Sequence, residues 1–354
     1  MPKTLIKNVL VRCDGGPGIG MGHVMRCLCL ADGLRKTEIQ NITFLTHAPD
    51  GEARVLDVVR KKIRQWRFRV RMAPPAGTKE DLAFVLKQLK QFSDLSQVLV
   101  VTDSYAIGTS YLRQLKASGV KVLSIDDEAK QPFPVDWILN QNMGAEKLSY
   151  PKGTTAKRLA GVKYFLLRRE FRNIKRPALR KQVLKRLLVT MGGADSQNQT
   201  KKVLAALAML PMKLNVTIVL GGAHPDPRGI RSLTRSSWHK IRIYQDAPKV
   251  GSLFKNADAA VTAGGTTSYE VAAMGIPNLI LTIADNQRGI ARALDRYGSS
   301  KSLGWYEDVK PQDIAVEIKG LMHDPQQLRK MSQRAKKLVD GRGVERVVKH
   351  ICAN

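Results

Sequence analysis

The apolar positions fall into two alternating patterns, short continuous runs and helical stripes. Residues 5–12 form a run that predicts a first strand, and 41–46 form a second. Over 23–36, Val24, Cys27, Leu28, Ala31 and Leu34 recur at the i, i+3, i+4, i+7 spacing of a helix face. Residues 65–72 alternate Trp66, Phe68, Val70 and Met72 with Arg67, Arg69 and Arg71, predicting a half-buried strand. A helix over 79–92 precedes the run at 98–105. A helix over 109–118 precedes the run at 120–127, and 137–142 is a further short strand. These runs have the unbroken apolar character of strands buried on both faces of a parallel sheet.

A second series starts after residues 168–186, which hold nine basic residues and one acid. Strands are expected at 187–193, 215–222, 241–246, 259–265 and 277–283. Helices are expected at 198–209, from Thr267, at 287–297, and in the basic end over 325–350. Strand–helix alternation with apolar strands predicts two doubly wound, Rossmann-like α/β domains. The expected division is 1–172 and 173–354. Ligands of such sheets sit beyond the carboxyl ends of the strands, so the expected site is a cleft between two facing domains.

Composition narrows the class. The 354 residues are 43% apolar, enough for two full cores, and no stretch approaches about 18 consecutive apolar residues. The start reads as a strand rather than a signal peptide. Four cysteines without metal spacing fit reduced thiols and a cytoplasmic location. Charge is the outlier: 59 Lys and Arg against 30 Asp and Glu, a balance of +29. The basic runs read as a solvated face, as a peripheral contact with an anionic membrane surface, or as a seat for another polyanion. Nucleic acid is not expected, because aromatics are 6% and no binding module is present.

The candidate chemistry lies in the glycine-rich turns. The first runs Cys13-Asp14-Gly15-Gly16-Pro17-Gly18-Ile19-Gly20-Met21-Gly22-His23, between a strand and a helix. Backbone N–H groups there form an anion seat, to which Gly20 and Gly22 allow close approach. The dinucleotide fingerprint and the P-loop both fail, for want of an acid after strand two and of Gly-Lys-Ser/Thr. At the positive end of a helix His23 is expected neutral, a general base or a packing residue. In the second half, Gly192-Gly193 and Asn198 open one helix, and Gly264-Gly265-Thr266-Thr267-Ser268 open another. The latter offers N–H and O–H donors suited to a diphosphate. Glu270 suits ribose hydroxyls, or closes a capping box with Thr267. Asp285-Asn286-Gln287 suits a sugar or a positioned water, or caps its helix. Asp126-Asp127-Glu128 reads as turn acids or, less readily, as a metal cluster.

Arg12-x-Asp14 followed by Ile19-Gly20-x-Gly22-His23-x-x-Arg26-Cys27-Leu28-x-Leu30-Ala31 resembles the opening of the pseudaminic acid pathway hydrolases, which act on UDP-2,4-diacetamido-2,4,6-trideoxy-β-L-altropyranose, and of similar spore-coat polysaccharide proteins. The resemblance continues at Asp103-Ser104-Tyr105, Ser124-Ile125-Asp126-Asp127, Leu139-Asn140-x-Asn142 and Tyr164-x-Leu166-Leu167-Arg168-x-Glu170-Phe171. It ends with Met191-Gly192-Gly193-x-Asp195-x-x-Asn198-x-Thr200, Gly264-Gly265-x-Thr267-x-x-Glu270 and Asp285-Asn286-Gln287. The glycine turns of the second half are also similar to those of lipid-II-type N-acetylglucosaminyl transferases. The resemblance implies a glycosyltransferase-B fold with UDP on the second domain, and hydrolysis of a UDP-sugar without metal or cofactor. It implies His23 as general base, Tyr105 and Asn286 beside sugar and water, and Glu270 on the uridine ribose. Arg168 and Gln287 fall within the matched motifs as further binding positions. A UDP-sugar transferase on the same scaffold is the alternative reading. The family is not generally so basic, and the motifs leave oligomeric state open.

Overall fold

The apolar runs become the central strands of two parallel sheets. The computed structural model describes residues 5–16, 19–39, 41–47, 53–172, 174 and 184–353. The elements of the first half are β1 (Asn8–Cys13), α1 (Gly22–Leu34), β2 (Asn41–Thr46), α2 (Ala53–Gln65), β3 (Arg69–Met72), α3 (Lys79–Leu89), β4 (Val98–Asp103), α4 (Thr109–Ala117), β5 (Lys121–Ile125), β6 (Trp137–Asn140), β7 (Lys157–Ala160) and α5 (Arg169–Arg172). The second half continues with β8 (Arg186–Thr190), α6 (Gln199–Leu207), β9 (Asn215–Leu220), α7 (Pro227–Thr234), β10 (Lys240–Gln245), α8 (Val250–Phe254), β11 (Ala259–Ala263), α9 (Thr266–Ala273), β12 (Asn278–Thr282), α10 (Asp285–Tyr297), β13 (Ser300–Trp305), α11 (Pro311–His323), α12 (Pro325–Leu338) and α13 (Gly343–Cys352).

The first sheet has the order β3-β2-β1-β4-β5-β6-β7 and the second β10-β9-β8-β11-β12-β13, with every pairing parallel. Both orders reverse once, between β1 and β4 and between β8 and β11. A parallel sheet opens a crevice at such a reversal, outside the carboxyl ends of the two strands. The glycine-rich turns follow β1, β8 and β11, so they lie at these two points.

Each sheet is buried on both faces. Val9, Val11, Leu99, Val101 and Leu123 pack under α1 on one side of the first sheet. Leu10, Val98, Val100 and Val122 pack with Leu112 and Leu115 of α4 on the other. In the second, Val189, Ile218, Val261 and Leu279 form the core with Val203 and Leu207 of α6.

The chain divides into two compact units, residues 1–166 with 342–354, and residues 167–341. This differs from the expected division of 1–172 and 173–354. The terminal helix returns to the first unit because Val344, Val347 and Ile351 of α13 join the core around α1. The approach is close: a Cβ on Gly33 would lie 2.3 Å from Val344 Cγ1. Leu167 to Arg172 go with the second unit, and the expected boundary at 173 lies outside the described residues, as does most of the basic run at 168–186.

The alternating stretch at 65–72 is a strand only from Arg69. Arg67 takes a left-handed turn at φ 61° where α2 ends, and β3 is an edge strand with Arg69, Arg71 and Met72 exposed. The pattern survives because Phe68 still turns inward against Phe44.

Candidate functional site

At the first reversal the register sets Cys13 of β1 opposite Asp103 of β4. The turn after β1 leads His23 back over this point, one residue into α1, and the turn after β4 brings Tyr105. His23 Nδ1 lies 2.5 Å from Asp103 Oδ1. Two lone pairs at that separation would repel, so Nδ1 carries the proton and donates it to Asp103. In the neutral ring Nε2 then holds the lone pair. Arg26, one turn further along α1, grips Asp103 with two bonds of 2.7 Å and Asp127 with one of 2.8 Å. Asp127 also accepts from the Tyr105 hydroxyl and the Asn142 amide, each at 2.7 Å. The Tyr105 ring meets His23 edge-on, 4.9 Å between centroids.

This is a charge-alternating network with a buried centre and Tyr105 at its exposed edge. His23 and Arg26 are each 5% exposed and Asp103 is 1% exposed. Burial by itself would raise the pKa of Asp103, but the Arg26 guanidinium and His23 outweigh it and hold the carboxyl well below its ordinary range. Asp127 follows the same logic, with burial overcome by Arg26. Burial likewise opposes the charge on Arg26, and the two carboxylates prevail. Asp103 thus stays ionised, fixes the tautomer of His23 and orients its ring.

Asp103 and Arg26 were not singled out from sequence as site residues, and Asp127 was read only as a turn acid or a metal ligand. The signal was present in the matched motifs, but the pairing exists only across the strand reversal. A second motif pair, Arg12 and Asp14, is structural. Arg12 is fully buried and ties Asp14 to Asp81 and to the carbonyl of Pro74.

At the second reversal the turn after β11 enters α9 with Gly265 at its N-cap and no side-chain cap. The capping box that was one of two readings for Thr267 and Glu270 is not formed, because the helix begins one residue earlier. The Glu270 carboxylate instead takes a two-pronged bond from Arg168, at 2.6 and 2.7 Å. The Arg168 guanidinium also stacks 4.7 Å above the Phe171 ring. Gln287 Oε1 accepts from the N–H groups of Gly264 and Ile283, at 3.0 and 3.1 Å, pinning this turn to the one after β12. Asn286 is exposed beside it. Asp285 sits within α10 and pairs with Arg288, so it does not cap that helix.

After β8, Gly192 takes φ 83°, and a Cβ on Gly221 would lie 2.0 Å from the Gly193 carbonyl. Glycine is required for that approach. Asp195 caps α6 through the N–H groups of Gln199 and Thr200. Asn198 is left-handed at φ 51°, and its buried Oδ1 has no hydrogen-bond partner among the described residues.

Two expected donors are already committed. The Gly20 N–H bonds to Gly16 O at 2.6 Å, closing the glycine turn on itself, and Pro17 and Gly18 lie outside the described residues. Gly22, the first residue of α1, remains among the N–H groups without an intrahelical acceptor. Ser268 is fully buried. Its hydroxyl donates to Ala263 O and its N–H to Gly265 O, while Thr266 and Thr267 are half-buried. The acids at 126–128 also have other work. Asp126 accepts from two backbone N–H groups and Tyr150, while Asp127 serves Arg26, Tyr105 and Asn142. Among the described residues no helix is long and apolar enough to cross a membrane.

Two wholly parallel sheets, each with one reversal flanked by glycine turns, define a glycosyltransferase-B fold. MurG of Acinetobacter baumannii matches 98% of this chain and all of its own, with a TM-score of 0.69 at 16% identity. Sequence relatives narrow the likeness to the family suggested by the motifs. The spore coat polysaccharide biosynthesis protein SpsG of Bacillus subtilis is 26% identical over 96% of both chains. The UDP-2,4-diacetamido-2,4,6-trideoxy-beta-L-altropyranose hydrolase of Campylobacter jejuni is 22% identical, over 82% of this chain and 97% of its own. An uncharacterized protein of Methanocaldococcus jannaschii is 28% identical over 79% of this chain, which spans 56% of that protein's length. No family model matches the chain.

Proposed function

We propose that this protein hydrolyses a UDP-sugar at the anomeric carbon in the biosynthesis of a surface polysaccharide or a pseudaminic-type acid. The observation that carries this is the imidazole whose Nδ1–H is held by a buried, ionised Asp103. A neutral histidine fixed in that tautomer presents Nε2 as a base. The names of the sequence relatives support the substrate class, a UDP-diacetamido sugar.

A water oxygen bonds to the anomeric carbon from the face opposite the diphosphate, so the centre inverts. His23 Nε2 takes the water proton as charge builds on that oxygen. The bond to the diphosphate oxygen breaks, and its electron pair leaves with UDP. Such a base typically contributes about 10²–10⁴-fold. Asp103 acts as a positioning residue, stabilising the imidazolium that forms, and Arg26 keeps it ionised. Tyr105, tethered to Asp127, and Asn286 position sugar and water. The leaving diphosphate is a stable anion, so helix N-termini suffice to stabilise it. Its seats are the turns at Gly192-Gly193 with Asn198 and at Gly265-Thr266-Thr267, with Gln287 bracing the latter. Glu270, held by Arg168, takes the ribose hydroxyls.

Replacing Glu270 with alanine is expected to weaken UDP binding by about 10-fold or more, the worth of hydrogen bonds to a charged group. Isothermal titration with UDP reads this directly. An unchanged dissociation constant would reduce the Arg168–Glu270 pair to a structural tie.

The transfer reading has its own support, since the fold is that of glycosyltransferases. Incubation with the diacetamido UDP-sugar separates the two. Free sugar and UDP formed without an acceptor support hydrolysis, whereas consumption only after a lipid or polysaccharide acceptor is added supports transfer.

A further inference from the structure

Two loops enter the outer strands of the second sheet, 208–214 before β9 and 235–239 before β10. The buried His239 ties them together. Its Nδ1 accepts from the Leu214 N–H at 3.2 Å, and its Nε2 donates to Leu207 O at 2.6 Å. Met209, Met212 and Trp238 of these loops, with Leu233 in the last turn of α7, are 37–51% exposed. Exposed apolar side chains scattered singly are ordinary. Here four of the ten large ones among the described residues gather at one end of one sheet.

Positive charge gathers at the same end. Arg186, Asn215 and Lys240 stand level at the starts of β8, β9 and β10. With Arg242 and Tyr244 of β10 and Leu253 of α8 they line a cleft of 390 Å³ whose lining contains no acid. Asp258, which pairs with Arg186 at 2.7 Å, is buried. Lys213 and Arg235 are exposed in the two loops, and residues 196–245 hold eight Lys and Arg against one acid, Asp226. Indole, thioether and Leu side chains rimmed by cations suit a lipid headgroup layer. The indole prefers that interface, the apolar chains reach the acyl boundary, and the cations meet phosphates.

We propose that the amino end of the second sheet docks on an anionic phospholipid bilayer. Lys213, Lys240 and Arg242 lie against the lipid phosphates, and Trp238, Met209 and Met212 enter the interfacial layer. The strands run about 20 Å from this end to the turns of the proposed nucleotide seat, so docking leaves that seat open. The contact does not depend on which reaction the protein performs.

Flotation with phosphatidylcholine vesicles, with and without phosphatidylglycerol, tests it. Wild type is expected to partition at least about 10²-fold more strongly onto the anionic vesicles, and to come off as added salt screens the charges. Each cation near such a surface is worth about fivefold, so Lys213→Ala, Lys240→Ala and Arg242→Ala together are expected to lose about 10²-fold. Trp238→Ala is expected to lose about 10-fold. These side chains are exposed, and urea unfolding checks that each variant folds. Bromolipid quenching adds a readout of insertion, expected to be strong in wild type and weaker in Trp238→Phe. No partition, equal partition onto neutral vesicles, or equal quenching overturns the proposal. So does binding that survives in the folded triple variant but disappears when Arg67, Arg69 and Arg71 are changed to alanine, which would move the contact to β3. Preference for RNA over anionic vesicles also overturns it, making the surface a nucleic-acid seat.

Discussion

His23→Asn is expected to lower turnover of the UDP-sugar by about 10²–10⁴-fold while leaving UDP affinity nearly unchanged. The asparagine amide can still meet Asp103, so the buried carboxylate keeps a donor, and the variant is expected to fold. What it loses is Nε2, the only ring nitrogen not committed to Asp103. The nucleotide seat proposed at the turns after β8 and β11 shares no residue with His23. Steady-state kinetics with parallel UDP titration separate the two effects. Turnover within a few-fold of wild type would remove His23 from the chemistry and leave the His23–Asp103 contact a packing feature.

Arg26→Ala is expected to cost about 3–5 kcal/mol of stability at neutral pH, the range for breaking a buried ion pair from one side. Asp103 and Asp127 would remain buried without their guanidinium, and Cys27, 3.4 Å from Asp103, is no substitute. The pH dependence carries the sign. In the wild-type protein both carboxyls are depressed below the unfolded value of roughly 3.9. Their contribution is therefore present above pH about 4 and is lost as pH falls through the folded values. Without Arg26, burial raises both groups, and protonation relieves the unpaired charge. The stability gap between variant and wild type is thus expected to narrow as pH falls from 7 towards 4. Denaturant unfolding at several pH values measures it, and a gap that stays constant or widens would contradict the ion-pair account.

Much of the fold was legible because parallel strands buried on both faces write themselves as Val, Ile and Leu runs, and because glycines mark the turns that follow them. β4 and β5 are plain examples. Edge strands carry a weaker signal. β7 is four residues long, and β13 mixes Ser300, Ser302 and Gly304 with its apolar positions, so neither was read from the sequence. The terminal helix shows the other limit. Its stripe of Val344, Val347 and Ile351 declares a buried face but not which core it joins.

The site divides in the same way. His23 and the glycine turns are local features, visible in one stretch of chain. The network that gives His23 its tautomer is not local, since Asp103 lies 80 positions away and meets it only because the strand order reverses between β1 and β4. Glu270 was ambiguous for a local reason. Thr267-x-x-Glu270 has the spacing of a capping box, and only the start of α9 at Thr266 releases the carboxylate to Arg168. Ser268 shows the reverse, a donor by type that the first helical turn folds inward.

Hydrolysis in ¹⁸O-labelled water, followed by NMR in the first turnovers, reads the reaction itself. Attack of His23-activated water at carbon places the label on the anomeric hydroxyl of the released sugar, with inverted configuration, and leaves UDP unlabelled. Label in UDP, retained configuration, or no sugar released until an acceptor is supplied would contradict it.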